Sequence, residues 1–288
     1  MTEGPAVTIR PLTRLDDLAT CERLQLEVLG GWERLVIPPH VLVEIGARGG
    51  LVLGAHEESG ELHGLLVDLL SREDGADSHF TLFLGVHPEA RNRGIATALR
   101  CAERRYAHRT GISLIRWGID PLRGVDAHIA LNKLGGIGVG YSRNRYGPLP
   151  DPADGGLATD RIEIEWWIDS PRVNAVLDRG LLPSHYRFGL DRMEVVTKTR
   201  GVGDGLRQLV EFNPNPGSKV ILVEIPVDLD RLFTTSPNLA RDWRVKAREV
   251  FETLFGKGYL LTGFVHEAGR SFHLLEWGRK RVVLEAEN

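Results

Sequence analysis

The segment Leu84–Leu99, LGVHPEARNRGIATAL, holds residues whose types and spacing suit a definite chemistry. An apolar stretch ends at Val86, a turn with Pro88 follows, and Arg91-Asn92-Arg93-Gly94-Ile95-Ala96 opens a run with helical periodicity. The first amides of a helix have no intrahelical acceptor, and the helix dipole adds partial positive charge there. Gly94 and Ala96 leave room for a bulky anion to approach the backbone, and Arg91 or Arg93 can add charge-assisted hydrogen bonds. The spacing therefore suits a phosphate or pyrophosphate. An ordinary strand-to-helix turn with solvated arginines fits the same residues. Pattern alone leaves both readings open.

The flanking elements must position this turn. Val7–Leu12 reads as a short strand, and Thr13 precedes a helix over Leu15–Leu29 with Leu18, Cys21, Leu24 and Val28 on one face. A second helix spans Pro38–Ala47. Leu51–Ala55, Leu62–Leu70 and Phe80–Val86 read as a meander of strands. The helix opened by the motif covers Gly94–Arg109, with Ile95, Ala98, Leu99, Ala102 and Tyr106 inward and Arg100, Glu103 and Arg104 elsewhere. A strand over Ile112–Ile119 and a short helix over Asp126–Leu134 follow, then an ordered loop to Gly156 with a strand near Val139–Ser142. Arg161–Ile168 alternates as a half-buried strand. Beyond it the pattern predicts a strand at Lys219–Val227, a helix at Leu239–Phe255 with Arg244, Arg248 and Glu249 on its wet face, and a hairpin from Tyr259–His266 and Ser271–Trp277. Gly201–Gly205 reads as a flexible turn without a convincing strand before it.

Composition narrows the function class. The 288 residues carry a net charge of −3, which supplies no basic field of the kind that non-specific nucleic-acid binding needs. No apolar run is long enough for a membrane span, and the first residues do not read as a signal peptide, so a cytoplasmic protein is expected. Cys21 and Cys101 are too few for a disulfide framework, and His56-Glu57 and His266-Glu267 lack the second histidine of a zinc protease, so no metal is expected. Gly256-Lys257-Gly258 lacks the upstream part of a nucleotide-binding P-loop.

Arg91-x-x-Gly94-x-Ala96, after a strand ending in Val86 and opening a helix, resembles the acyl-CoA-binding motif of the GCN5-related N-acyltransferase superfamily, and the element order matches that fold. The resemblance covers about residues 5–170, and Trp117–Leu122, Asn132–Gly135 and Asp160-Arg161 are similar to a subfamily of larger proteins. It implies an α+β fold, a mixed and mostly antiparallel central sheet flanked by helices, over residues 1–170, with a C-terminal α/β extension at 171–288. It also implies acetyl-CoA or another acyl-CoA as cosubstrate. Arg91, Asn92, Arg93, Gly94, Ile95 and Ala96 would hold the pyrophosphate, Leu84 and Val86 the pantetheine arm, and Asn132 would match the asparagine of the family's second motif.

The implied reaction is direct attack of a small-molecule amine, such as an amino acid, on the thioester, with acetyl the default acyl group and succinyl open. No covalent enzyme intermediate is expected, so both cysteines read as core thiols. Candidates for taking the amine's proton are Asp68, His79 and Asp120, with Asp120 equally suited to forming a turn before Pro121. Tyr141, with Tyr146 second, is the candidate acid for the departing thiolate. The alternative reading is a non-catalytic acyl-CoA-binding or regulatory protein. The extension from Pro171 would cap the acceptor pocket, complete a second sheet or build a homodimer interface.

Overall fold

The computed structural model describes residues 7–73, 75–147, 157–180 and 193–285. Within it the chain divides at Trp117–Gly118 into two compact units.

In the first unit, alternating apolar residues build an antiparallel run of β1 (Thr8–Pro11), β2 (Leu51–His56), β3 (Leu62–Glu73) and β4 (Ala76–Val86). A fifth strand, β5 (Leu114–Ile119), joins β4 in parallel. Helices α1 (Leu15–Val28) and α2 (Pro39–Ala47) cover one face, where Leu18, Cys21, Leu24, Leu42 and Ile45 pack on Leu65 and Val67. Helix α3 (Ile95–Thr110) covers the other, where Ile95 and Leu99 pack on Leu53, Ala55 and Leu66. Successive strand residues thus feed opposite cores, as the period of two requires. The β3–β4 ladder extends to Glu73↔Ala76, further than the expected Leu70 and Phe80, because its far end is polar and carries no hydrophobic alternation.

The second unit contains α4 (Gly124–Ala127), continued by a wider π-turn through Lys133, then β6 (Ile137–Ser142), β7 (Arg161–Trp167) and α5 (Pro171–Arg179). After β8 (Glu194–Val195) come β9 (Thr197–Gly203) and β10 (Leu206–Phe212), β11 (Val220–Ile225), α6 (Leu229–Thr235) and α7 (Pro237–Gly256). The chain closes with the expected hairpin, β12 (Tyr259–Glu267) and β13 (Arg270–Trp277), and α8 (Lys280–Glu285). Its sheet runs β7-β6-β12-β13-β11-β8, with β9 and β10 as a separate ribbon. Gly201–Gly205 is therefore not a free turn, since β9 precedes it and Asp204-Gly205 links two paired strands. The expected boundary near residue 170 does not coincide with the division at 117. β6 pairs with β7 and, at Gly138↔Leu261, with β12, which binds residues 137–167 to the C-terminal strands.

Candidate functional site

The motif lies where β4 and β5 separate. Only His79↔Ile115 and Phe80↔Arg116 pair between them, yet β4 continues to Val86 with its other edge paired to β3. From Thr81 to Val86, backbone groups facing away from β3 have no ladder partner on β5. A β-bulge marks the start of this stretch: Val67 faces Phe83 and Asp68 faces Thr81, leaving Leu82 as the extra residue. The bulge shifts the side-chain parity. Leu84 and Val86 lie in the α3 core and Phe83 lies in the α1–α2 core.

After Val86 a 3-10 turn over Pro88–Ala90 leads into the loop that opens α3. Two residues of this loop have left-handed backbone, Asn92 at φ 62° and Gly94 at φ 80°. The second position favours glycine because a side chain there would meet the following carbonyl. As N-cap, Gly94 offers no capping side chain, and the first turn of α3 contains no acidic residue. The first hydrogen bond of the helix is Ala98 N–H to the Gly94 carbonyl, so the preceding amides are not consumed by the helix. A Cβ on Gly64 would lie 2.8 Å from Ile95, so glycine in β3 is what permits this close seating of the helix.

The motif's arginines are not simply solvated. Arg93 pairs with Glu57 at 2.7 Å, and Arg91 Nε donates to the Val86 carbonyl at 3.3 Å. The groups this loop leaves open are thus backbone amides, with both cations tied to neighbouring groups.

Beneath the bulge lies a buried polar cluster that helical periodicity does not reveal. Arg100 and Glu103, expected off the inward face, are 2% and 0% exposed. Arg100 Nη1 donates to both Glu103 carboxylate oxygens, at 3.0 and 2.9 Å, and to Thr81 Oγ1 at 2.7 Å. Asp68 and His79 are buried as well, with His79 Nδ1 3.6 Å from Asp68 Oδ2 and its ring stacked on Tyr106. Burial pushes the Glu103 carboxyl well above its ordinary value, against the pull of Arg100, and raises Asp68 too. Burial outweighs the pull of Arg100 on both carboxyls, so the pair holds a proton into a range where exposed carboxyls have lost theirs. Neither Asp68 nor His79 reaches solvent.

A group whose folded pKa is raised contributes stability below its unfolded value and loses that contribution as pH rises. Glu103→Gln is therefore expected to match the parent near pH 4.5 and to gain on it steadily toward alkaline pH. Thermal unfolding of both proteins from pH 5 to 9 checks this; parallel curves would contradict it.

An antiparallel β1–β4 run, a bulge in β4, a parallel β5 that parts from it and a glycine-led helix between the two decide the fold. It is α+β, with a mixed and mostly antiparallel sheet flanked by helices. Solved structures similar to the chain include the ribosomal-protein-S18-alanine N-acetyltransferase of Escherichia coli, 14% identical, covering 55% of this chain and 92% of that one with a TM-score of 0.44. A phosphinothricin acetyltransferase of Sinorhizobium meliloti, in complex with acetyl-CoA, is 19% identical over 56% and 87% of the two chains, TM-score 0.46. A Streptococcus pneumoniae acetyltransferase of the same superfamily is 14% identical over 55% and 98%, TM-score 0.46. No family model and no curated protein matches the chain.

The remaining residues expected from the acyltransferase resemblance lie in the second unit, and each has a structural engagement. The side-chain amide of Asn132 is zipped to β12, donating to the Phe264 carbonyl at 2.6 Å and accepting from the Phe264 amide at 3.0 Å. Asp120 is 4% exposed, accepts from the Leu122 amide at 2.8 Å and receives both Arg244 nitrogens at 2.8 and 2.5 Å. Burial alone would raise its pKa, but Arg244, with Arg161, holds it below the ordinary value. Arg244, expected on the wet face of α7, is 2% exposed. Its neighbour one turn on, Arg248, grips Asp160 at 2.9 and 3.1 Å.

Tyr141 donates to Asp160 Oδ2 at 2.6 Å, and burial together with that carboxylate pushes its pKa far above the ordinary tyrosine value. The sequence offered one cue to these pairings: two arginines four apart on a helix, and two aspartates each next to a strand.

Proposed function

We propose that the protein is an acyl-CoA-dependent N-acyltransferase acting on a small-molecule amine, with acetyl as the default acyl group. The observation that carries this reading is the unpaired edge of β4 leading directly into the uncapped, glycine-led start of α3. Amides of the first turn would hold the pyrophosphate, and the free edge at Leu84–Val86 would hydrogen-bond the amide-bearing pantetheine arm as a strand substitute. A strand amide at the parting would polarise the thioester carbonyl as charge gathers on its oxygen.

Direct attack by the amine forms the amide bond, expels the thiolate and needs no enzyme nucleophile. Both cysteines support this. Burial pushes the Cys21 thiol up to about 12 and also raises Cys101, which is the opposite of an activated nucleophile. Water takes the amine's proton in this reading. Asp120 is neutralised by Arg244, and Tyr141, above a thiol in pKa, gives its proton to a thiolate only uphill.

Tyr141→Phe is accordingly expected to leave kcat within about threefold while costing about 1.5 kcal/mol of stability through the lost bond to the Asp160 carboxylate. A collapse of kcat with KM unchanged would restore Tyr141 as the acid. The activity itself is tested by thiol release from acetyl-, propionyl- and succinyl-CoA with a panel of amino acids and simple amines. Turnover on an amine supports the reading, and tight CoA binding without turnover on any of them would count against it.

A further inference from the structure

We infer that Glu57 is an internal stand-in for the phosphates that the loop and first turn of α3 would cradle. Its carboxylate takes the Arg93 guanidinium that a phosphate would otherwise meet, so an incoming polyanion must displace it. The inference rests on the acyl-CoA reading for its ligand, and it names the residue that sets how tightly the cradle holds that ligand.

The connection between β2 and β3 lies against the start of α3. The His87 amide donates to the His63 carbonyl at 2.9 Å, which joins the loop after β4 to the start of β3. One residue on, Gly64 faces Ile95 in the first turn of the helix. Glu57 opens the connection, and its backbone is fixed there. Its amide donates to the Glu61 carbonyl at 3.0 Å, and its carbonyl accepts from the Gly60 amide at 2.9 Å. From this position its Oε1 accepts from Arg93 Nη1 at 2.7 Å.

Stability does not account for this pair. The side chains of Arg93 and Glu57 are 45% and 29% exposed, and an ion pair so open to water contributes little. Its place is what matters. Arg93 directly precedes Gly94, an N-cap without a side chain, and the first turn of α3 has no acidic residue. The positive end of the helix and Arg93 together attract an anion, and Glu57 is the carboxylate that meets them. A phosphate carries more charge and more acceptor oxygens, so it can take the guanidinium over. The displaced carboxylate then has a second partner close by. Glu57 Oε2 lies 3.8 Å from His63 Nε2, and neither ring nitrogen of His63 has a hydrogen-bond partner among the described residues. Glu61 Oε2, at 3.5 Å, faces the same nitrogen, and the His87 ring meets that of His63 edge-on.

The test uses the full chain and calorimetry at physiological ionic strength, with CoA and inorganic pyrophosphate as probes. Glu57→Gln keeps the size of the side chain and removes its charge. It is expected to bind both probes about fivefold more tightly, because neither has to break the pair with Arg93. A double variant separates displacement from simple repulsion. With Arg93→Gln already in place, adding Glu57→Gln is expected to change either affinity by less than about twofold. The contested guanidinium is then gone, and salt screens what repulsion remains between exposed charges.

Affinities that stay the same or fall in Glu57→Gln overturn the inference, since the carboxylate would then be orienting Arg93 toward the ligand and not withholding it. Equal gains with and without Arg93 overturn it as well, because they mean that Glu57 only repels the ligand through solvent. Pyrophosphate bound with the expected pattern, but no binding of CoA, would overturn the acyl-CoA reading and uphold the role of Glu57. Binding of neither probe to any variant would overturn both.

Discussion

Gly94→Glu is expected to weaken acyl-CoA binding by about 100-fold or more, equivalent to about 2.7 kcal/mol. The substitution acts twice. Its Cβ is forced into left-handed backbone at φ 80°, and its carboxylate is placed at the positive end of α3, where a phosphate would otherwise lie. Gly94→Ala separates the two effects. It carries the backbone strain, about 1 kcal/mol, without the charge, so it should lower stability modestly and CoA affinity far less than the glutamate does. Isothermal calorimetry with CoA on both variants reads the difference directly. Equal affinities for Gly94→Glu and the parent would remove the cradle from its assigned place.

Arg244→Met is expected to have the largest effect on stability, about 3 kcal/mol at neutral pH, because it leaves Asp120 buried with its strongest partner gone. Arg161, 3.9 Å away, keeps the loss near the lower end of the usual range. The pH dependence gives the cleaner signature. In the parent, Asp120 is held below its ordinary pKa, so it adds stability above the aspartate range and loses it as pH falls through the folded value. Without Arg244, burial dominates, the pKa rises, and Asp120 costs stability as pH increases. The gap between parent and variant should therefore widen from pH 4 to 7 in denaturant titrations. Adding Asp120→Asn, which keeps an oxygen for the Leu122 amide, should recover most of the loss. A gap that does not change with pH would mean that lost packing, and not the orphaned charge, sets the cost.

Much of the first unit is legible in the sequence because its physics is local. The strand periodicity of Leu51–Ala55 and Leu62–Leu70, and the glycine-led helix after Val86, need only neighbouring residues to be recognised. Arg100 and Glu103 are a different matter. A helical wheel places them beside the apolar face of α3, and only the bulge at Leu82, which turns Thr81 toward that helix, makes their burial favourable. Arg244 is hidden for the same reason: its partner Asp120 is distant in sequence, and no local pattern announces a paired charge.

The β9–β10 ribbon escapes detection because its glycines and exposed polar residues carry no apolar alternation. Asn132 resembles the asparagine of the second motif in residue type and position, and its bonds to the backbone of Phe264, distant in sequence, have no local pattern to announce them.

The central claim is that an acyl-CoA lies across the start of α3 and along the free edge of β4, and a crystal structure of the protein with CoA tests it most directly. The pyrophosphate is predicted on the amides of Ile95 and Ala96, with the pantetheine arm hydrogen-bonded to the backbone of Leu84–Val86. CoA bound elsewhere, or β5 found laddered onto β4 through Val86, would contradict it.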